Sequence, residues 1–423
     1  MLHLNFVQIG KWVELRSSPH IERAGLATNT SLILNISAAV IFYLAFAIFL
    51  YIRRKKVEVQ GKIMFLYRTE RFNKLMAKIA NWSPRFWQYF GYAAIPVGFI
   101  AMGAVLALLF YQTWRILTIP NIGPQAQLLL PGPSTLSVGP VQFISVWIFL
   151  FAILVIFIVH EGMHGVVASA WKIKIKNAGI GLMAIIPLAF VEPDEKQLMK
   201  KPLKVQLSVF AAGPMANFVA TLFLILLTLG IAPVAAGLTD TLSGVKIDSV
   251  VADFPAAQSG LESGTVIVEA NGKNVNTSAE LVSILSAVKP GDTINLKSSE
   301  NIYEMKAAAN PSNESKAYIG INFRQNFQYD QNLVAKFGEG FVSKLYGGLL
   351  ALLNLFNITA VLNLLIGAIN LLPLGPIDGG RMAYSVLQKA MKSKAQKAFA
   401  FLTYLSLGLL LFNIAGPYIM KLF

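Results

Sequence analysis

The chain contains no cysteine and few charged residues. Among its 423 residues there are no Cys and four His, and Asp, Glu, Lys and Arg together account for 13%. The absence of cysteine excludes disulfides, thiolate metal sites and a cysteine nucleophile, and it leaves the redox compartment undetermined. A soluble domain carries about 25% charged residues. The scarcity of charge therefore excludes a wholly soluble protein.

In place of charge, the chain has long apolar runs. Hydrophobic residues make up 55% of the sequence, and the mean hydropathy is +0.58. Runs of about 20 apolar residues are long enough to cross a bilayer as helices. We expect no cleavable signal peptide, because the first 30 residues lack a basic segment followed by an apolar one. The sequence predicts a polytopic α-helical membrane protein with about six transmembrane helices, at roughly 31–52, 90–112, a third opening at Pro140, 205–231, 340–368 and 398–420.

The net charge of +15 is concentrated in a few stretches of the chain. Residues 53–85, 172–204 and 381–397 are rich in Lys and Arg. Cytoplasmic loops of membrane proteins have this composition, so the positive charge does not indicate a nucleic-acid partner. If these stretches lie on the cytosolic side of the cell membrane, both termini and residues 241–327 lie outside. The segment 53–85 is then a basic surface that faces anionic lipid.

One short motif carries chemistry. His160, Glu161 and His164 form an H-E-x-x-H sequence after the uncharged run Val141–Val159. On a helix, two His four residues apart project from one face and can hold a single Zn²⁺. Glu161 is not needed as a ligand, and its carboxylate can take a proton from water at the metal and pass it to a leaving amine. The alternative is a polar pair at a helix end that faces lipid headgroups.

Four other features bear on this motif. Residues 178–187 are apolar but broken by Gly and Pro, which predicts a re-entrant strand or hairpin. Asn217, in the fourth span, either makes an interhelical hydrogen bond or takes part in catalysis. Residues 241–327 are polar, with short β-type runs and turn signals, and predict an extramembrane α/β domain between spans four and five. Asp378 follows the fifth span at the same predicted membrane depth as the two histidines.

Three motifs resemble, in their order, the site-2 protease family of intramembrane zinc metalloproteases. They are H-E-x-x-H, then Gly213-Pro214-x-x-Asn217, then Asn370-x-x-Pro373-x-x-Pro376-x-Asp378-Gly379, and the resemblance covers about residues 140–423. It implies one Zn²⁺ per chain, with His160, His164 and Asp378 as ligands. It also implies that Glu161 is the general base and acid, and that Asn370 stabilises the developing oxyanion.

The inserted segment resembles a PDZ domain of the type found in bacterial periplasmic proteases. The resemblance is carried by Asp253–Ile267, which reads DFPAAQSGLESGTVI, and by Asn271-Gly272. Such domains bind extended peptides by strand addition at a sheet edge. The resemblance therefore implies that a peptide or a substrate ectodomain binds this PDZ-like domain. The alternative is a domain that only shields the site from folded proteins.

What the resemblance implies for function is regulated intramembrane proteolysis. A peptide bond within the transmembrane segment of a membrane-anchored regulator would be hydrolysed after another protease has removed the regulator's outer domain. One alternative is a membrane metallopeptidase acting at the cytosolic face, with Glu192 or Glu195 as third ligand. The other is a non-enzymatic PDZ-bearing scaffold or transporter with a structural His pair.

The chain divides into four predicted regions. Residues 1–139 form a membrane region with two transmembrane helices and a basic cytoplasmic loop. Residues 140–240 and 328–423 are the two halves of the protease core, and residues 241–327 are the PDZ-like domain.

Overall fold

The computed structural model describes residues 21–60, 64–120, 122–132, 137–138, 140–183, 186–310 and 313–420. The chain forms two compact units. One is built from Ser37–Gly132, Leu136–Leu229 and Leu353–Phe423, and the other chiefly from Gly230–Leu352. The H-E-x-x-H motif lies in the first unit, and the inserted α/β segment lies in the second.

The stretch before the H-E-x-x-H helix contains both helices and strands. In chain order they are α1 (Ile21–Ile52), β1 (Val57–Gln60), β2 (Met64–Arg68), α2 (Glu70–Trp82), α3 (Pro84–Thr118), β3 (Leu128–Pro131), β4 (Ser137–Val138) and β5 (Val141–Ile144). The prediction that the third span opens at Pro140 is wrong, because β5 pairs with β3 and the helix begins only at Val146. A short apolar run does not distinguish a strand from the start of a buried helix.

The motif itself lies on a long helix that is followed by a hairpin. The elements are α4 (Val146–Ala170), β6 (Ile175–Met183), β7 (Ile186–Pro193), α5 (Glu195–Met199) and α6 (Leu203–Ala236). The hairpin predicted over 178–187 is present and is longer than predicted.

The second unit contains a six-stranded antiparallel sheet. Its elements are β8 (Thr239–Val250), α7 (Pro255–Gln258), β9 (Val266–Ala270), β10 (Lys273–Asn274), α8 (Ser278–Ser286), β11 (Thr293–Ser298), β12 (Ile302–Lys306), β13 (Ala308–Asn310), β14 (Asn313–Tyr318), β15 (Ile321–Tyr329) and α9 (Gln331–Phe337). The strand order is β12-β11-β9-β8-β15, with β10 paired to β9, and β13 and β14 pair separately. Buried aliphatic side chains such as Ile247, Ile267, Leu281 and Leu296 form its core.

The last part of the chain is helical with one interruption. The helices are α10 (Glu339–Asn370), α11 (Asp378–Met391) and α12 (Ala395–Met420). Residues 371–377 are not helical, and Pro373 and Pro376 lie among them. Proline lacks a backbone N–H and disfavours helical geometry in the residue before it, which explains why α10 and α11 are separate.

Six helical segments among the described residues are long and apolar enough to cross a membrane, which agrees with the predicted number. They are Asn35–Ile52, Pro84–Thr118, Val146–Ala170, Leu203–Ala236, Glu339–Asn370 and Asp378–Met420. The last segment comprises α11, a short turn at Lys392–Lys394 and α12.

A four-stranded antiparallel sheet joins the stretch between α1 and α2 to the hairpin after α4. Its order is β1-β2-β6-β7, so β7 is an edge strand. A Cβ atom on Gly179 of β6 would lie 1.9 Å from the carbonyl oxygen of Tyr67, so β2 approaches β6 this closely only because a glycine is there. Arg68 pairs with Glu58 and, at 3.8 Å, with Glu192 of β7. The ion pairs thus tie β1 and β2 to the strand beside the motif.

The amphipathic helix α2 packs against α4. Met76 and Ala80 are buried in the shared core, and a Cβ atom on Gly165 would lie 2.0 Å from Met76 Sδ. The small residue on α4 therefore makes room for the side chain from α2. The remaining face of α2 exposes both basic and apolar side chains, namely Arg71, Phe72, Lys74, Leu75, Lys78, Ile79 and Trp82.

Candidate metal centre

His160 and His164 lie one helical turn apart on the same face of α4. Their side chains are almost completely buried, and their Nε2 atoms are 3.3 Å apart. No charged residue precedes Glu161 on this helix, so the imidazoles are polar groups in apolar surroundings. Buried polar groups are stable only when they have partners.

The third member of the group comes from the break between α10 and α11. Asp378 is the first residue of α11, and its Oδ2 lies 3.1 Å from His160 Nε2 and 3.3 Å from His164 Nε2. Two glycines follow it. A Cβ atom on Gly379 would lie 2.1 Å from the carbonyl oxygen of Leu371, and one on Gly380 would lie 1.8 Å from that of Leu374. The segment can fold back and present Asp378 only because both positions lack a side chain.

The spacing of these three residues fits a zinc ion. Their ligand atoms all lie within 4.8 Å of one another, with individual separations of 3.1 to 3.3 Å. Zinc–ligand bonds of about 2.0–2.1 Å at tetrahedral angles place neighbouring ligand atoms roughly 3.3 Å apart. Three protein ligands leave one tetrahedral position for water or substrate, as at catalytic zinc sites.

Helix α6 supports both histidines from behind. His164 Nδ1 lies 2.7 Å from the carbonyl oxygen of Val209, which accepts a hydrogen bond from Nδ1–H and leaves Nε2 free for a metal. His160 Nδ1 lies 3.1 Å from the side-chain amide of Asn217. Between them, Gly213 faces the group so closely that its Cβ would lie 2.3 Å from His164 Nε2 and 2.9 Å from His160 Nε2.

Glu161 points into the same cavity without joining the three ligands. Its Oε2 accepts a hydrogen bond of 3.0 Å from the backbone N–H of Val191 on β7. The cavity has a volume of about 280 Å³ and is also lined by Asn370 and Arg381. All five residues that the sequence singled out, His160, Glu161, His164, Asn370 and Asp378, therefore meet at one cavity.

Glu192, one of the alternative third ligands, lies in different surroundings. Its Oε2 accepts a hydrogen bond of 2.7 Å from Asn177 Nδ2, and its Oε1 pairs with Arg68. Glu195, the other alternative, lies in the exposed first turn of α5. Among the residues that the structure describes, the metal-ligand group consists of the two histidines and Asp378.

Some groups at the site carry no signal in the sequence. The carbonyl of Val209 and the N–H of Val191 are backbone groups, which every residue type supplies. The contact of Gly213 becomes visible only once α4 and α6 are packed together. One signal was available, because Val209, Gly213 and Asn217 are spaced by four and therefore share a face of α6.

A multi-pass chain with a His–His–Asp group beside a glutamate has the arrangement of a membrane metalloprotease. The family model of peptidase family M50 matches residues 148–413. The chain belongs to this family, which is the site-2 protease family, and the resemblance found in the sequence is confirmed.

Two relatives and two solved structures are similar to parts of the chain. The uncharacterized protein MJ0971 of Methanocaldococcus jannaschii is 26% identical over 375 residues, covering 86% of this chain and 89% of that protein. The zinc metalloprotease RasP of Shouchella clausii is 24% identical over 277 residues, covering 55% of this chain and 63% of that protein. PDZ domains of SdrC-like proteins from Listeria innocua and Listeria monocytogenes are 28% and 26% identical, cover 20% and 22% of this chain and 96% and 95% of theirs, and have TM-scores of 0.18 and 0.17.

The contact of Gly213 with the two imidazoles makes a testable prediction. Gly213→Ala places a methyl group against two Nε2 atoms that hydrogen bonds hold in place, so we expect zinc bound per purified chain to fall well below that of the parent. Alanine favours helix over glycine by about 1 kcal/mol, so α6 itself is not weakened. Gly230→Ala on the same helix is the matched control, because a Cβ atom there meets nothing within 4 Å. Equal zinc content in the two variants would contradict the prediction.

Proposed function

We propose that this protein is an intramembrane zinc metalloprotease. It hydrolyses peptide bonds within the transmembrane segments of membrane-anchored regulators after another protease has removed their outer domains. The observation that carries the proposal is the group of His160, His164 and Asp378, with ligand atoms 3.1 to 3.3 Å apart beside Glu161. Membership of peptidase family M50 and the likeness to a zinc metalloprotease support it.

Each residue of the cavity has a chemical task in this proposal. His160, His164 and Asp378 hold one zinc ion, which when bound supplies Lewis acidity and lowers the pKa of water. The Glu161 carboxylate takes a proton from water and delivers it to the leaving amine. Asn370 lines the same cavity, and its side-chain N–H groups stabilise the developing oxyanion.

An edge strand next to the catalytic glutamate suits an unwound substrate. The backbone N–H of Val191 points at Glu161 and away from β6. Because backbone groups alternate in direction along a strand, those of Pro187, Ala189 and Pro193 also point away from β6. Because proline has no N–H, the backbone groups available on that side are the Ala189 N–H and the neighbouring carbonyls. A helix must unwind before its peptide bonds can be cut, and each freed backbone group costs several kcal/mol within lipid unless it is paired. The edge of β7 provides such partners.

The two alternative functions are less well supported. Glu192 is engaged by Asn177 and Arg68, so Asp378 is the better third ligand. A scaffold or transporter with a structural His pair does not require a third ligand, a glutamate and a cavity at the same place.

The α/β segment fits a peptide-binding role. A cavity of about 90 Å³ lies between α8 and the end of β14, lined by Leu285, Tyr318 and Ile319 among others. We assign the PDZ-like domain to this segment, between the fourth and fifth spans, and give it a peptide or a substrate ectodomain as its partner. Its apolar lining suits aliphatic side chains of an extended chain.

The basic stretches set the orientation in this proposal. The site lies near the cytosolic face of the cell membrane, and the α/β segment lies outside. The exposed face of α2 then meets the cytosolic leaflet, with apolar side chains such as Trp82 in the lipid and Arg71, Lys74 and Lys78 at anionic headgroups.

The role of Glu161 is tested by Glu161→Gln. The amide oxygen can still accept the Val191 hydrogen bond, but an amide cannot take up and release a proton, so we expect zinc content like the parent and loss of cleavage by at least 100-fold. The measurement is hydrolysis of transmembrane peptides by the purified protein, with zinc quantified in the same samples. Turnover close to that of the parent would refute the proposed mechanism.

The identity of the third ligand is tested by a pair of variants. Asp378→Ala removes a ligand, so we expect bound zinc to drop from about one ion per chain to a small fraction of that, and cleavage to stop. Glu192→Ala removes only an ion pair and a hydrogen bond outside the ligand group, so zinc and cleavage should stay near parental values. If Glu192→Ala is the variant that loses metal, the alternative metallopeptidase is correct.

The orientation is tested by cysteine labelling, which the absence of native cysteine makes simple. Ser299 lies in the exposed turn between β11 and β12, and Ser393 lies in the exposed turn between α11 and α12. In intact cells, a membrane-impermeant maleimide should label Ser299→Cys and should label Ser393→Cys only after the cells are opened. The reverse pattern would place the α/β segment in the cytosol.

A further inference from the structure

We propose that Asn217 is a positioning residue for the metal ligand His160, acting through its amide oxygen. The oxygen accepts a hydrogen bond from His160 Nδ1–H, and this bond fixes the ring so that Nε2 faces the metal. The inference rests on the proposed function in one respect, namely that the His–His–Asp group holds zinc.

The contact between the two side chains is buried and has one unmatched atom. Asn217 is completely buried on α6, and its Nδ2 lies 3.1 Å from His160 Nδ1. Its Oδ1 is buried and has no hydrogen-bond partner among the described residues. A buried amide oxygen without a partner is destabilising, so an arrangement that leaves it unpaired needs a reason.

Metal binding decides which amide atom faces the histidine. The Nε2 atom of His160 points at Asp378 and His164, so it is the metal-binding atom. A neutral imidazole that binds metal through Nε2 carries its proton on Nδ1, which makes Nδ1 a donor. With Nδ2 of Asn217 in front of it, two donors would face each other. A half-turn of the amide puts the oxygen there and resolves the conflict without changing the shape of the side chain.

The neighbouring helix also carries buried side-chain oxygens without partners. Helix α10 packs closely here, since a Cβ atom on Gly367 would lie 3.1 Å from Asn217 Cβ. One and two turns away on the same face of α10, Asn363 Oδ1 and Thr359 Oγ1 are buried without partners among the described residues. Asn217 thus lies at a helix contact where side-chain oxygens are buried without partners.

The arrangement at His164 is the precedent within the same molecule. There Nδ1–H donates a hydrogen bond of 2.7 Å to a carbonyl oxygen of α6, that of Val209. Asn217 lies on the same face of α6, two turns further along, beside the other histidine. Helix α6 thus presents one oxygen to each imidazole. Partners of this kind orient metal-bound histidines, and removing one weakens metal binding by roughly 10- to 100-fold.

Two near-isosteric substitutions separate an accepting from a donating role. Asn217→Asp keeps an acceptor and loses the amide donor, whereas Asn217→Leu loses both. We expect the zinc dissociation constant, measured by competition with a chelator, to stay within about threefold of the parent or to tighten in Asn217→Asp. In Asn217→Leu it should rise by roughly 10- to 100-fold. Asn413→Leu is the matched control, because Asn413 is a completely buried asparagine on α12 whose amide donates to Leu109 and Thr113, and we expect it to leave the zinc dissociation constant unchanged.

A second measurement needs no substitution. In the zinc-loaded parent with ¹⁵N-labelled histidine, the His160 ring should show a protonated Nδ1 and a metal-bound Nε2. An unprotonated Nδ1, zinc affinity in Asn217→Leu equal to that of the parent, or an equal loss in Asn217→Asp and Asn217→Leu would overturn the inference. If the parent binds zinc and cleaves peptides, each of these three outcomes leaves the proposed function intact. A parent that binds no zinc would overturn both.

Discussion

The structure around the site depends on burying two imidazoles and a carboxylate within apolar helices. Such groups are stable only when each polar atom is paired, so helices must approach them closely and from several sides. Gly213 allows α6 to touch both rings, and Gly379 and Gly380 allow the segment after α10 to fold back and deliver Asp378. Small residues at helix contacts have this function in membrane proteins generally. The motif residues supply the polar side chains, and the glycines leave the space that these side chains need to lie close together.

The stretch between the first and second spans is part of the support for the site. Its two strands extend the sheet of the β6–β7 hairpin, and Arg68 bridges Glu58 and Glu192 across that sheet. The edge strand β7 in turn donates the Val191 N–H to Glu161. The glutamate is therefore held by a sheet whose other two strands, β1 and β2, come from the stretch between α1 and α2. A segment that reads as a basic loop connects physically to the residue proposed as general base.

The helices and the residues at the cavity could be predicted from the sequence because each is indicated by a short stretch of the chain. Apolar runs of 20 residues predict spans by composition alone, and the spacing of His160 and His164 needs only the period of a helix. The strands β1 and β2 were missed because they have only four and five residues, and because β6, the strand that pairs with β2, lies far along the chain. Val141–Ile144 was assigned to a helix because it is uncharged, directly precedes a long apolar run and, with four residues, is too short to show a period. The supporting contacts at Val209 and Val191 use backbone atoms, so the residue types at these positions do not predict them.

The two prolines of β7 have a consequence for self-association. An unpaired strand edge is a template on which a second copy of the same edge can dock, which leads to aggregation. At Pro187 and Pro193 the backbone on the side away from β6 has no N–H, so this edge of β7 has more acceptors than donors. Two such edges are poor partners for each other because both lack N–H groups. A flexible chain that brings its own N–H groups can still pair with the carbonyls. The prolines therefore disfavour pairing between the β7 edges of two folded copies.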